Sequence, residues 1–172
     1  MRKPRHYINN RTLFEVMKKY HGDCALAKQN NTQDPKIPDY VGESLMRIAT
    51  KLSNKPNFCN YSYKDEMICD GIENCIMHIK NFNPERSQNP FAYFTQIINN
   101  AFIRRIKKEK KEHYIKIKNM QQYDINDEIM GIDSKKTKFN EITDSFIKNY
   151  EQQLPSKKKA VKVTNSLSKF FE

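Results

Sequence analysis

The feature that most constrains the fold is the stretch after Asn89-Pro90, where Phe91, Phe94, Ile98, Ala101 and Phe102 recur at three- and four-residue spacing. That spacing places them on one side of an α-helix, with Ile97 at the edge, and an apolar side of this length has to be covered by other elements. Asn89 is a good N-cap and Pro90 suits the first helical position, so this helix is expected to open there and run to about 112 or beyond. A shorter helix is expected over 10–20, carrying Leu13, Phe14, Val16, Met17 and Tyr20, followed by a polar connector over 21–38. Asp39 opens a helix with Val41, Leu45, Ile48, Ala49 and Leu52 on one side, stopping before Pro56. Ser62 ahead of Asp65 and Glu66 reads as the N-cap of a helix over 63–80, ended by the Asn-Phe-Asn-Pro break at 81–84. The expected architecture is all-α. A compact domain of about four helices occupies 1–120, a flexible basic linker with a short helix near Glu141–Tyr150 occupies 121–164, and a terminal peptide occupies 165–172.

Composition limits what such a domain can do. Hydrophobic residues make up 37% of the 172 and mean hydropathy is −0.89, so the core is small. Lys and Arg number 31 against 20 Asp and Glu, a net charge of +11 that points to a polyanionic partner. Four glycines and seven prolines are too few for a turn-rich sandwich or a glycine-loop nucleotide enzyme. No run approaches the ~18 apolar residues of a membrane span. The start, MRKPRHYINN, has no apolar stretch behind its basic residues, so a signal peptide is not expected. The cysteines (Cys24, Cys59, Cys69 and Cys75) form no CxxC pair and are expected as free thiols. Cys69 lies ~120° around a helix from Cys75, at ~100° per residue, so those two and His78 cannot converge on a metal. His6, His21, His78 and His113 are isolated, and neither cofactor, metal nor catalytic residues are expected.

The two central helices carry opposed faces. On the third, Ile68, Ile72, Cys75, Ile76 and Ile79 form the expected core stripe, with Glu66, Asp70, Glu73, Asn74 and Met77 roughly opposite. In a protein of net charge +11, that acidic side is either a solvated face or a docking surface for a basic partner, with Met77 as an adaptable apolar contact. On the fourth helix Tyr93, Gln96, Asn100, Arg104, Lys107 and Lys111 fall along one stripe, and Arg105 and Lys108 add charge. Gln and Asn match the adenine edge, Arg and Lys neutralise phosphates, and a tyrosine ring can receive an unstacked base. Residues 104–118 contain eight basic and two acidic residues, a local charge of +6. Six phosphate contacts would give a log-log salt slope of about −5. A merely solvated basic helix is the other reading.

At DEMICDGIENCIMHIKNFNPERSQNPFAYFTQIINNAFIRRIKKEKKE, residues 65–112, the chain resembles the second conserved region of bacterial sigma factors. The shared features are Asp70-Gly71 early in a helix, Phe82 with Pro84 at its end, and an aromatic helix start that turns basic. More closely it is similar to the late-transcription sigma factors of T-even-type bacteriophages, in Asn89-Pro90, Ala92-Tyr93, Thr95-Gln96 and the run from Arg105 to Glu109. The resemblance implies that Glu66, Asp70, Glu73, Asn74 and Met77 dock on the clamp helices of the β′ subunit of the host RNA polymerase core. It implies that Tyr93, Gln96, Asn100, Arg104 and Lys107 read and open an A/T-rich, minus-ten-like promoter element. The β flap and a late coactivator are further partners it allows, and it places the protein in the cytoplasm of an infected bacterium. Two departures stand out. The chain has no Trp, where primary sigma factors use a tryptophan pair at the edge of the bubble, and it leaves no room for an upstream-element helix-turn-helix domain. Recognition is therefore expected to rest on one short element.

The C-terminus reads TNSLSKFFE, and Leu167-x-x-Phe170-Phe171 has the spacing of peptides that plug into sliding DNA clamps, with Thr164 where cellular clamp peptides carry a glutamine. The late phage sigma factors end in such a peptide. The expected function is that of a non-enzymatic transcription initiation factor linked to a phage sliding clamp. A clamp-tethered DNA-binding protein of replication or repair would keep the tail and the basic helix but would not need the acidic face. A small nuclease would need carboxylates converging on a metal, and the acids of 65–73 lie along a helix surface instead.

Overall fold

The computed structural model describes residues 7–122 and 133–153, and among these every regular element is helical. α1 spans Asn10–Gln29, α2 Asp39–Ser53 and α3 Lys64–His78, followed by a single 3₁₀ turn at Ile79–Asn81. α4 spans Pro90–Gln122 and α5 Asp133–Gln153. The chain divides into two compact units, 1–109 and 110–172, and the division falls within α4.

In the first unit, local chemistry sets where the helices begin. Asn9 Oδ1 accepts from the backbone N–H of Arg11 at 3.0 Å and of Thr12 at 3.4 Å, capping α1. Asn89 Oδ1 accepts from Ala92 N at 3.0 Å, and Pro90 is the first residue of α4, as its sequence implies. Asn10 ties these two helix starts together: its Oδ1 accepts from Phe91 N at 3.2 Å and its amide donates to Gln88 O at 3.4 Å.

Two boundaries differ from the sequence reading. α1 continues nine residues past Tyr20, and half of the expected connector is helix. It stops at a Schellman turn, in which Asn31 takes φ +50° and Thr32 N donates to Ala27 O at 3.0 Å. The second difference is at α3, whose N-cap is Tyr63 with no side-chain hydrogen bond, so Ser62 does not cap it.

The core is built where these helices meet. α1 contributes Leu13, Met17 and Tyr20, and α2 contributes Val41, Leu45, Ile48, Ala49 and Leu52. α3 presents Met67, Gly71 and Cys75, and α4 presents Phe94, Ile98, Ala101 and Phe102. Phe58, from the turns before α3, meets Phe102 edge-on with centroids 5.2 Å apart, and Phe82 stacks on Phe94 at 6.5 Å. The buried stripe of α3 is rotated about 60° from the expected one, at ~100° per residue. Ile68 and Ile72 are half-buried and Ile76 is 48% exposed, so Ile76 is not a core residue. The reason is Gly71: a Cβ there would come within 3.1 Å of both Ile98 and Phe102. α3 turns its bare backbone to α4, and the isoleucines flank that approach.

The second unit is a different construction. The last turns of α4 pair with α5 through rings: Tyr114 on Tyr150 at 4.7 Å, Phe146 on Tyr150 at 6.3 Å, and His113 edge-on to Phe146 at 4.7 Å. Ile117, Thr143 and Ile147 are buried among them, and Tyr114 Oη donates to Glu151 at 2.7 Å. α5 is far longer than the short helix expected near Glu141–Tyr150.

Candidate functional site

The site is built from the outer sides of α3 and α4. Taking the buried stripe of α3 as reference, Glu66, Glu73 and Met77 lie roughly 120–160° around from it, at ~100° per residue, and all three are exposed, Met77 at 59%. Asp70 and Asn74 sit about 60° nearer α4, at ~100° per residue, and are half-buried. The five residues expected to form one acidic face therefore fall into two groups.

On α4 the stripe Tyr93, Gln96, Asn100, Arg104 and Lys107 lies to one side of the core residues. Gln96, Asn100, Arg104, Lys107 and Lys108 are exposed, as is Lys111, which belongs to the second unit. Gln96 Nε2 donates to Asn100 Oδ1 at 3.0 Å, so the two amides face each other one turn apart. Tyr93 is placed otherwise than a free stacking platform would be. Its ring packs on Phe82 at 5.3 Å and its hydroxyl donates to His78 O at 2.9 Å, closing the C-terminal end of α3. Burial of that hydroxyl pushes its pKa up.

Arg105 is also placed differently from its neighbours. It continues the line of Phe94, Ile98 and Phe102, and its side chain is 18% exposed. Its Nε lies 3.0 Å from Asp70 Oδ2, close enough for an ion pair although the N–H does not point at the oxygen, and its Nη1 donates to Glu109 at 3.4 Å. Next to it, Arg104 Nη2 donates to Asn74 Oδ1, and Asn74 Nδ2 donates to the Asp70 carbonyl at 2.6 Å. A continuous polar seam therefore runs from Arg104 through Asn74 and Asp70 to Arg105 and Glu109. Glu109 was not singled out in the sequence. The available signal was its phase, since Arg105 and Glu109 both fall on the core line of α4.

Among the described residues no group of three or more His, Cys, Asp or Glu is placed to hold a metal ion. No described helix is long and apolar enough to cross a membrane. The four cysteines are free, and burial pushes the Cys75 thiol up to about 12. Leu167, Phe170 and Phe171 lie outside the described residues.

No curated protein matches the chain. A protein-family model does: residues 40–112, somewhat under half of the chain, match the family described as Sigma-70 region 2. The match starts at α2 and includes both outer faces of α3 and α4, whereas α1, which completes the core, precedes it. The stretch that carries the candidate site thus resembles Sigma-70 region 2, and that match supports a sigma-factor-like protein with RNA polymerase core and promoter DNA as its partners.

Proposed function

We propose that this protein is a transcription initiation factor of the late phage sigma type. It docks on the β′ clamp helices of a bacterial RNA polymerase core through the acidic side of α3. It reads and opens an A/T-rich, minus-ten-like element with the α4 stripe, and it is tethered to a sliding clamp by Leu167, Phe170 and Phe171. The observation that carries this reading is the pairing of opposed outer surfaces on adjacent helices within the matched stretch. Glu66, Glu73 and Met77 lie exposed on one, and Gln96, Asn100, Arg104 and Lys107 lie exposed on the other. An acidic surface with an apolar contact at one end suits a basic protein helix, and an amide-and-cation stripe suits bases and phosphates.

The test is capture of purified bacterial core polymerase by the intact protein and by the Glu66→Lys, Glu73→Lys double variant. The double variant is expected to lose core binding and to keep clamp binding. Capture of the clamp but not of the core by the intact protein would favour a clamp-tethered factor of replication or repair. Phe170→Ala with Phe171→Ala is expected to abolish clamp-stimulated transcription and to leave basal initiation in place. Parallel loss of both activities would rule out a separate tether.

A further inference from the structure

We propose that Asp70 and Asn74 are positioning residues that seat Arg105 and Arg104 on α4, and that Arg105 is a structural bolt that does not contact DNA. The proposal rests on the assignment of the α4 stripe to DNA and divides the labour within the two faces.

A guanidinium has five N–H donors in a rigid fork. Arg105 lies between two carboxylates, Asp70 at 3.0 Å and Glu109 at 3.4 Å, with its side chain 18% exposed. A phosphate could reach it only by breaking that pairing and opening the edge of the core. Arg104 has one arm on Asn74 and the rest of an exposed side chain beyond it. The Asn74 amide is held at both ends, accepting from Arg104 and donating to the Asp70 carbonyl, so its orientation is set before anything binds. That bond holds one arm of Arg104 and favours its placement beside Asn100 and Lys107. Preorganising a long cation removes part of the entropy cost of ordering it on a ligand. Glu66, Glu73 and Met77 point away from this seam, which leaves docking to them.

The seat makes a prediction that a docking role for Asn74 does not make. Binding of a fluorescein-labelled A/T-rich oligonucleotide is measured by anisotropy at several salt concentrations, with no polymerase present. Asn74→Ala is expected to weaken binding about five-fold, the scale of immobilising one rotamer-rich side chain. In an Arg104→Ala background the same change is expected to have no effect on binding. Arg104→Ala is expected to lower the salt slope by about one, and Arg105→Gln, which removes the charge, to leave that slope unchanged while lowering the melting temperature. Equal effects of Asn74→Ala in both backgrounds would overturn the proposal, as would lost core capture with DNA binding untouched.

A second measurement does not depend on the oligonucleotide. The Arg104 and Arg105 side-chain N–H resonances are expected to be sharp and shifted in the intact protein, and to collapse towards the free-arginine position in Asn74→Ala and Asp70→Ala respectively. Averaged resonances in the intact protein would refute the seat. If the intact protein bound no oligonucleotide, the functional reading would fall, and these resonances alone would decide the seam.

Discussion

The two units of this chain hold helices together with different materials. In 7–109, Phe94, Ile98, Ala101 and Phe102 close onto Met67, Gly71 and Cys75, and the helices of this unit share one apolar core. In the described part of 110–172, two helices meet through Tyr114, Phe146, Tyr150 and His113, with Ile117, Thr143 and Ile147 beneath and the Glu151 carboxylate at the rim. Burial of apolar area is insensitive to charge and to moderate pH, whereas rings aligned by a carboxylate depend on its ionisation. The first unit should therefore behave as a rigid platform for its outer faces, and the second should respond to solution conditions.

That contrast can be broken most severely at Phe102. Phe102→Ala removes a fully buried ring and is expected to cost about 3–5 kcal/mol, most of a small domain's stability. Denaturant unfolding followed by helix signal would read the loss, and a cost near zero would mean that the core of 7–109 is loose. Gly71→Val comes next, at about 1–3 kcal/mol, because the added branches meet Ile98 and Phe102 where even a Cβ is tight. Its signature is a lower urea midpoint with an unchanged slope.

In the second unit, Tyr150→Ala deletes the ring stacked on Tyr114 and is expected to cost about 1 kcal/mol. Hydrogen exchange should quicken in α5 and stay the same in α2 and α3. A gentler perturbation is acid. Glu151 is held below the usual carboxylate range chiefly by the hydrogen bond from Tyr114 and also by Lys118, whose Nζ lies 3.3 Å away. The folded protein binds that proton less readily than the unfolded chain does. Its contribution is thus complete above the unfolded carboxylate's pKa and is lost as pH falls through the lowered folded value. The Tyr114 and Tyr150 ring resonances should shift across that acid window while those of Phe94 and Phe102 hold. The smallest change is chemical labelling at pH 8. Cys59 and Cys69 are exposed and should react with iodoacetamide, and Cys75, buried with its thiol pushed up to about 12, should not.

The parts of this molecule that were legible in the sequence are those that apolar periodicity and capping chemistry announce. The start of α4 at Asn89-Pro90, the buried side of α2 and the core line through Phe94 and Phe102 all follow from those signals. α1 runs past its expected end because the true stop is an Asn-Asn-Thr sequence that reads as ordinary polar connector. In the sequence pattern of α3 four isoleucines outweigh a glycine, though it is the glycine that meets Ile98 and Phe102 of the neighbouring helix. α5 carries few aliphatics and many charges, so its aromatic pairing gives no strong period. At the site, helical phase places the stem of Arg104 or Arg105. Where a guanidinium ends up depends on four rotatable bonds and on which acceptors lie within reach.

Gly71 has a consequence for anyone rebuilding this surface. The reach between Asp70 and Arg105, and between Asn74 and Arg104, is set by how near two backbones can come, and that clearance is set by a carbon atom that is missing. A graft that copied every polar side chain of the seam onto another helical pair, but kept a bulkier residue at this position, would reproduce the chemistry at the wrong separation. The glycine works as a spacer gauge, and the register of both outer faces depends on it.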